Sequence, residues 1–157
     1  MLPGLGMALV VIILDQLSKF WIYKEFIQGA RVALGNYFNL VKVFNTGVSF
    51  SLFNNYGNSG VWILCLISLT VCVGLLYWMY TEKDFNRKLC LGMIVGGALG
   101  NVIDRVHYGA VIDFLDFHIG NYHWPAFNVA DSFICLGAIA LIILELNDSY
   151  KKGTEKK

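Results

Sequence analysis

The chain has 157 residues, 57% of them apolar (AVILMFWYC) and 15% charged, with a net charge of +1 at neutral pH, and its mean hydropathy is +0.59. Soluble domains run at roughly 45–50% apolar and about 25% charged. These numbers exclude a disordered or nucleic-acid-binding chain, argue against a soluble globule, and leave a membrane protein of one domain, residues 1–157.

A helix crossing ~30 Å of hydrocarbon needs about 20 mostly apolar residues. The first such stretch, residues 2–23, is apolar as far as Leu14 and then takes on Asp15 and Lys19. A removable signal peptide would open with basic residues and close at a small-residue cleavage site. Here no Lys or Arg precedes Lys19, and the stretch runs on into Phe20-Trp21-Ile22-Tyr23, so a retained span is expected. Residues 24–56 are too long for a bare connector, and polar and apolar residues partly alternate from Tyr37 to Asn45. A small β element over about residues 30–55, resting on the membrane surface, is predicted there. The second span, residues 61–80, carries no charge. The third, 89–105, is rich in Gly and ends in Asn101, Asp104 and Arg105. The fourth, 125–144, is apolar except for Asn128 and Asp131, and a basic tail occupies 147–157. The expected fold is a mainly α integral membrane protein with four transmembrane helices and a small extracytoplasmic β element.

Lys83, Arg87 and Lys88 follow the second span, and Lys151, Lys152, Lys156 and Lys157 lie in the tail. The positive-inside rule makes that side, and hence both termini, cytoplasmic. Residues 24–60 and 106–124 then lie outside. Asp15, Lys19, Asn101, Asp104 and Arg105 come late in outward-running spans, and Asn128 and Asp131 come early in an inward-running one. All seven therefore share one depth, which suggests a single site. An ionisable side chain at mid-bilayer costs about 2.5–3.5 kcal/mol and by default marks function.

Structural alternatives stand beside that reading. Asp15 and Lys19, spaced i, i+4, can neutralise each other on one helix face, and Asp104 and Arg105 can anchor a helix end at the headgroups. Asp131 has no basic neighbour in its own helix, so a structural account is weaker there. Gly92, Gly96 and Gly100 form a small-residue stripe suited to close helix packing, with Gly97, Asn101 and Arg105 on the stripe beside it. The four cysteines (Cys65, Cys72, Cys90, Cys135) lie in apolar runs without CxxC spacing and read as small buried hydrophobes.

Most catalytic toolkits have no match. There is no His-Glu-x-x-His, and His107, His118 and His123 are scattered. Gly47-Val48-Ser49-Phe50 is not the Gly-x-Ser-x-Gly turn, no Cys has a credible His partner, and no phosphate-cradling Gly loop appears. What remains is carboxylates: Asp15, Asp104, Asp113, Asp116 and Asp131. Two carboxylates brought together split their proton affinities and can activate water while protonating a leaving amine. Spacing alone does not say which two meet.

The ordered blocks resemble the lipoprotein signal peptidase family, also called signal peptidase II, over nearly the whole chain. They are Asp15-Gln16-Leu17-Ser18-Lys19, Asn45-Thr46-Gly47-Val48-Ser49-Phe50, and Gly96-Gly97-Ala98-Leu99-Gly100-Asn101-Val102-Ile103-Asp104-Arg105. Two more follow: Val111-Ile112-Asp113-Phe114 and Phe127-Asn128-Val129-Ala130-Asp131-Ser132. The resemblance implies a four-span aspartyl endopeptidase of the bacterial cytoplasmic membrane. It would cut prolipoproteins just before a cysteine bearing diacylglycerol. It implies Asp113 and Asp131 as the catalytic dyad. Asp15, Lys19, Asn45, Gly47, Gly97, Asn101, Asp104, Arg105, Val111, Phe127, Asn128 and Ala130 would support the site or bind substrate. It demotes Asp104 to a structural role beside Arg105. It further implies no metal or cofactor, contact with membrane lipids, a monomer, and binding of the cyclic-peptide inhibitor globomycin. The apolar stretch from Tyr37 to Phe53 would lie over the diacylglyceryl chains.

Two other readings compete. A proton-coupled transporter or small channel would use intramembrane carboxylates as relays, but such sites sit near mid-bilayer between repeated halves. Here the polar groups are biased outward and no repeat is evident. A non-catalytic lipid-binding or assembly protein would use the buried charges for packing alone.

Overall fold

The computed structural model describes residues 1–47 and 58–154. Four helices dominate it: α1 (Leu2–Glu25), α2 (Asn58–Thr81), α3 (Phe85–Tyr108) and α4 (Val129–Thr154). Each is long and apolar enough to cross a membrane. Between α1 and α2 lie strands β1 (Arg31–Ala33) and β2 (Phe38–Asn45); between α3 and α4 lie β3 (Val111–Ile119) and β4 (Tyr122–His123). They form one antiparallel sheet in the order β1-β2-β3-β4.

The predicted spans are all present, with shifted ends. α3 starts four residues before its predicted boundary because the Asp84 carboxylate caps it, accepting from Arg87 N–H at 2.8 Å. It runs on to Tyr108 and stops at Gly109, whose positive φ of 70° suits the left-handed C-cap. The fourth span begins at Val129, not at residue 125. Phe127 is extended and bridges Leu115, with Phe127 N–H donating to Leu115 O at 3.0 Å. The β element is larger than expected: residues 106–124, read as a plain outer segment, hold β3 and β4. Residues 48–55 of the predicted β segment and 155–157 of the tail lie outside the described residues.

α3 is the central helix, and its glycines explain how. A Cβ at Gly92 would strike the Gly4 backbone of α1, one at Gly96 would come within 2.6 Å of Ala8 O, and one at Gly100 within 2.5 Å of Asp15 Oδ2. The predicted small-residue stripe is thus the α1–α3 seam. Ala8, Leu91 and Val95 of that seam cluster with Cys72 and Met79 of α2. A second cluster joins Ile22 to Ile112 and Phe114, docking the sheet on the end of the bundle. At the opposite end Arg87 Nη2 reaches Asp148 at 2.6 Å and Glu145 at 3.0 Å, tying α3 to α4. Cys65, Cys72 and Cys90 are buried as expected, but Cys135 is exposed on the outside of α4; all four are free thiols.

Candidate active site

Two carboxylate clusters lie at the sheet end of the bundle. The first is built from α1 and α3. Lys19 Nζ sits 2.8 Å from Asp15 Oδ2 and 2.9 Å from Asp104 Oδ2, and all three side chains are fully buried. Gln16 Nε2 donates to Asp104 Oδ1 at 2.9 Å and to Asp15 Oδ2 at 3.2 Å. The remaining acceptor capacity ties in other elements. Asp15 Oδ1 accepts from Ala130 N–H at 2.9 Å, and Asp104 Oδ2 accepts from Ile112 N–H at 3.1 Å. The i, i+4 pairing of Asp15 with Lys19 is therefore real. Asp104 pairs with Lys19, and among the described residues no ion pair joins it to Arg105. Arg105 Nη1 lies 3.5 Å from Asn101 O, and among the described residues its buried Nε has no acceptor.

The second cluster holds Asp113 on β3 and Asp131 in the first turn of α4. Asn128 is the residue between them. Its N–H donates to Asp131 Oδ2 at 3.2 Å, and its Oδ1 accepts from Asp131 N–H at 2.9 Å. This is a reciprocal capping box, with Asn128 at the N-cap and an acid three residues on. Asn128 Nδ2 then donates to Asp113 Oδ1 at 2.7 Å. The eighteen-residue separation of the two acids, no helix-face spacing, is closed by one amide.

Each amide around the pair is held in one orientation. Lys19, a pure donor, gives a proton to Asn101 Oδ1 at 3.0 Å, which leaves Asn101 Nδ2 to donate to Asp131 Oδ1 at 2.8 Å. Gly47 N–H donates to Asn45 Oδ1 at 2.8 Å, which leaves Asn45 Nδ2 to donate to Asp113 Oδ2 at 2.9 Å. Gly47 has φ 85°, a conformation that favours glycine, and an added Cβ would meet Leu64. A Cβ at Gly97 would come within 2.5 Å of Ala130 O, so Gly97 lets α3 approach the start of α4 beside Asp131. Val111 is buried opposite Asn45, and Phe127 stacks on Phe117 at 5.8 Å.

Burial first, and then the nearby Asp131 charge, push the Asp113 carboxyl up to about 6; the Asn45 and Asn128 hydrogen bonds and Lys19 pull the other way. Asp116, also on β3, is separate. Burial opposes its ionisation, but the Asn39 hydrogen bond (2.8 Å), His123 (2.8 Å) and Arg31 hold it below the usual carboxylate range. No group of three or more His, Cys, Asp or Glu gathers as a metal ligand set among the described residues. The β3–β4 end of the sheet carries an apolar cavity of about 680 Å³, lined by Tyr37, Phe117, Tyr122, Trp124 and Phe127 among others.

Sequence reasoning missed Gln16, whose amide joins Asp15 to Asp104, although it stands inside the first quoted block. It also missed Lys42, a buried cation on β2. Val48, Ser49 and Phe50 of the second block lie outside the described residues.

Four spans, a sheet at one end and a paired-carboxylate site define a polytopic membrane enzyme. Two solved structures described as bacterial membrane enzymes match it: one with TM-score 0.82 and 29% identity over 95% of this chain and 90% of that one. The other has TM-score 0.81 and 28% identity, covering 92% and 93%. Residues 7–147 match the model of signal peptidase (SPase) II. Curated relatives named lipoprotein signal peptidase include one from Janthinobacterium sp. (strain Marseille), 44% identical over 93% of this chain and 89% of its own. Another, from Paraburkholderia phymatum, is 46% identical over 92% and 87%. The chain belongs to the signal peptidase II family: it is a protease and a multi-pass bacterial membrane protein.

Proposed function

We propose that the chain is an aspartyl endopeptidase that removes the signal peptide from diacylglyceryl-modified prolipoproteins, cutting just before the lipidated cysteine. The observation that carries this is Asn128, which bonds at once to Asp113 and to Asp131 and is itself fully buried. In the working state one carboxyl of the pair holds a proton and the other is ionised. The carboxylate takes a proton from water as the water oxygen bonds to the scissile carbonyl carbon, and the acid hydrogen-bonds the carbonyl oxygen. When the C–N bond breaks, the pair delivers a proton to the leaving nitrogen. The products are a signal peptide ending in a carboxylate and a chain beginning at the amine of the lipidated cysteine.

By the positive-inside rule, the Lys and Arg residues that follow α2 and those of the tail support a cytoplasmic location for both termini and an extracytoplasmic dyad. Water and an emerging signal helix both reach that level. The aromatic cavity offers apolar contact for acyl chains. The enzyme acts as a monomer in contact with membrane lipids, and globomycin is expected to occupy the same site. Asp113→Asn and Asp131→Asn each lower cleavage of a lipidated precursor peptide by about 10³-fold or more while the purified protein keeps its helicity and melting behaviour. Cleavage near the native rate by either folded variant overturns the dyad.

A further inference from the structure

The pairing of β2 with β3 changes register once. Asn39 faces Asp116 and Leu40 faces Leu115, but further along Val43 faces Asp113 and Asn45 faces Val111. Val41 and Lys42 together therefore stand opposite Phe114 alone, a β-bulge in β2. Side chains alternate between faces, so one extra residue exchanges the faces of everything beyond it. Without the bulge, the register would set Lys42 directly across from Asp113 and on its face, and would turn Asn45 to the other side. With it, a neutral amide reaches Asp113 and the cation points away.

Lys42 is held where the bulge sends it. Only 7% exposed, it has no carboxylate partner among the described residues. Its Nζ donates to Tyr23 O at 2.7 Å and to Phe26 O at 2.8 Å, and lies 4.4 Å from the Tyr23 ring centre. Carbonyls at a helix C-terminus lack intrahelical donors and carry partial negative charge, so they suit a buried ammonium. Asn45, three residues on, is the residue whose placement depends on this anchor.

We propose that Lys42 is a positioning residue for Asp113: by clamping the bulge to the end of α1 it keeps a cation off the site and fixes Asn45 Nδ2 on Asp113. The inference rests on the dyad reading above. The charged groups bearing on Asp113 are Asp131 from α4 and Lys19 from α1. α3 presents the neutral Asn101, its Asp104 being turned to Lys19 and Ile112 N–H. Among the described residues, β2 presents the Asn45 amide and, directly opposite, the uncharged Val43.

The test is kcat/KM against pH for the full-length enzyme in lipid, with a lipidated precursor peptide. Lys42→Met is expected to lower kcat/KM roughly tenfold and to move the Asp113-controlled limb to higher pH, the direction in which Asn45→Ala moves it. Lys42→Arg keeps the native limb. The double variant Lys42→Met with Asn45→Ala is no worse than Asn45→Ala alone, because both remove one contact. A native limb in Lys42→Met, or losses that multiply in the double variant, overturns the proposal. Should Lys42→Met give no folded enzyme, Lys42→Gln carries the same comparison. Retained cleavage by Asp113→Asn breaks the dyad reading. Loss in Asp113→Asn with multiplying Lys42 and Asn45 effects breaks this inference alone.

Discussion

The two carboxylate clusters at the sheet end are joined through backbone and differ in what surrounds the acids. Ile112 and Ala130, whose N–H groups bond Asp104 and Asp15, directly precede Asp113 and Asp131. Asp15 and Asp104 share a cation, are fully buried, and have every oxygen engaged by donors from α1, β3 and α4. Among the described residues, Asp113 and Asp131 are met only by neutral donors, three side-chain amides and a backbone N–H. Asp131 is also part-exposed. A carboxylate oxygen has two lone-pair sites, so each oxygen of the part-exposed Asp131, with one donor, can still accept from a water. The ionic cluster, fully buried around its shared cation, is closed; the amide-held pair, which reaches the surface through Asp131, is open. Burial of acids alone does not separate structure from chemistry, whereas the identity of their partners does.

The largest effect comes from removing the cation. Lys19→Met leaves two buried carboxylates facing each other and should destabilise the protein by roughly 3–5 kcal/mol, seen as a fall in melting temperature and in yield of inserted protein. Asp113→Asn should leave both quantities near native. Equal melting of Lys19→Met and the native protein would erase the distinction between the two clusters. Lys19 also orients Asn101, so any folded fraction should show reduced turnover.

A smaller, sharper effect is expected at Asn128. Asn128→Ala removes the N-cap of α4, worth about 0.5–2 kcal/mol, and frees both acids from their common tether. Turnover should fall on the order of 100-fold from lost alignment while the melting point changes modestly. A stability loss with unchanged turnover would make Asn128 a helix cap and nothing more.

How much of this was readable in the residues follows from the range of the interaction. The four spans rest on local apolar runs, and the Gly92-Gly96-Gly100 stripe on periodicity, so both were visible. The Asp15–Lys19 pair was visible too, being four residues apart on one helix. The partner of Asp104 was not, because Lys19 reaches it from another helix 85 positions away. β3 was missed because Ile112-Asp113-Phe114-Leu115-Asp116 buries both faces at four of its five positions and so lacks the polar–apolar alternation of a half-solvated strand. The start of α4 was misplaced because Pro125-Ala126-Phe127 reads as apolar span, although Asn128 with Asp131 carries the capping signature. The Lys42 bulge is a property of strand register, which no local pattern reports.

The finest test of the contrast is the pH dependence of kcat/KM, which reports the free enzyme's essential groups. The pair must keep one proton between its two acids, and Asp113 releases its proton at about 6. Activity should therefore fall as pH rises through about 6. The Asn45 hydrogen bond favours the ionised form of Asp113. Its loss in Asn45→Ala should move the upper limb to higher pH by several tenths of a unit to about one unit, since one such bond is worth roughly 0.5–1.5 kcal/mol. Replacing Gln16, which serves the closed cluster, should leave that limb in place while lowering stability. If Gln16→Ala shifted the limb as far as Asn45→Ala, the two clusters would be one coupled titrating system, and the division between a closed ionic lock and an open amide-held pair would fail.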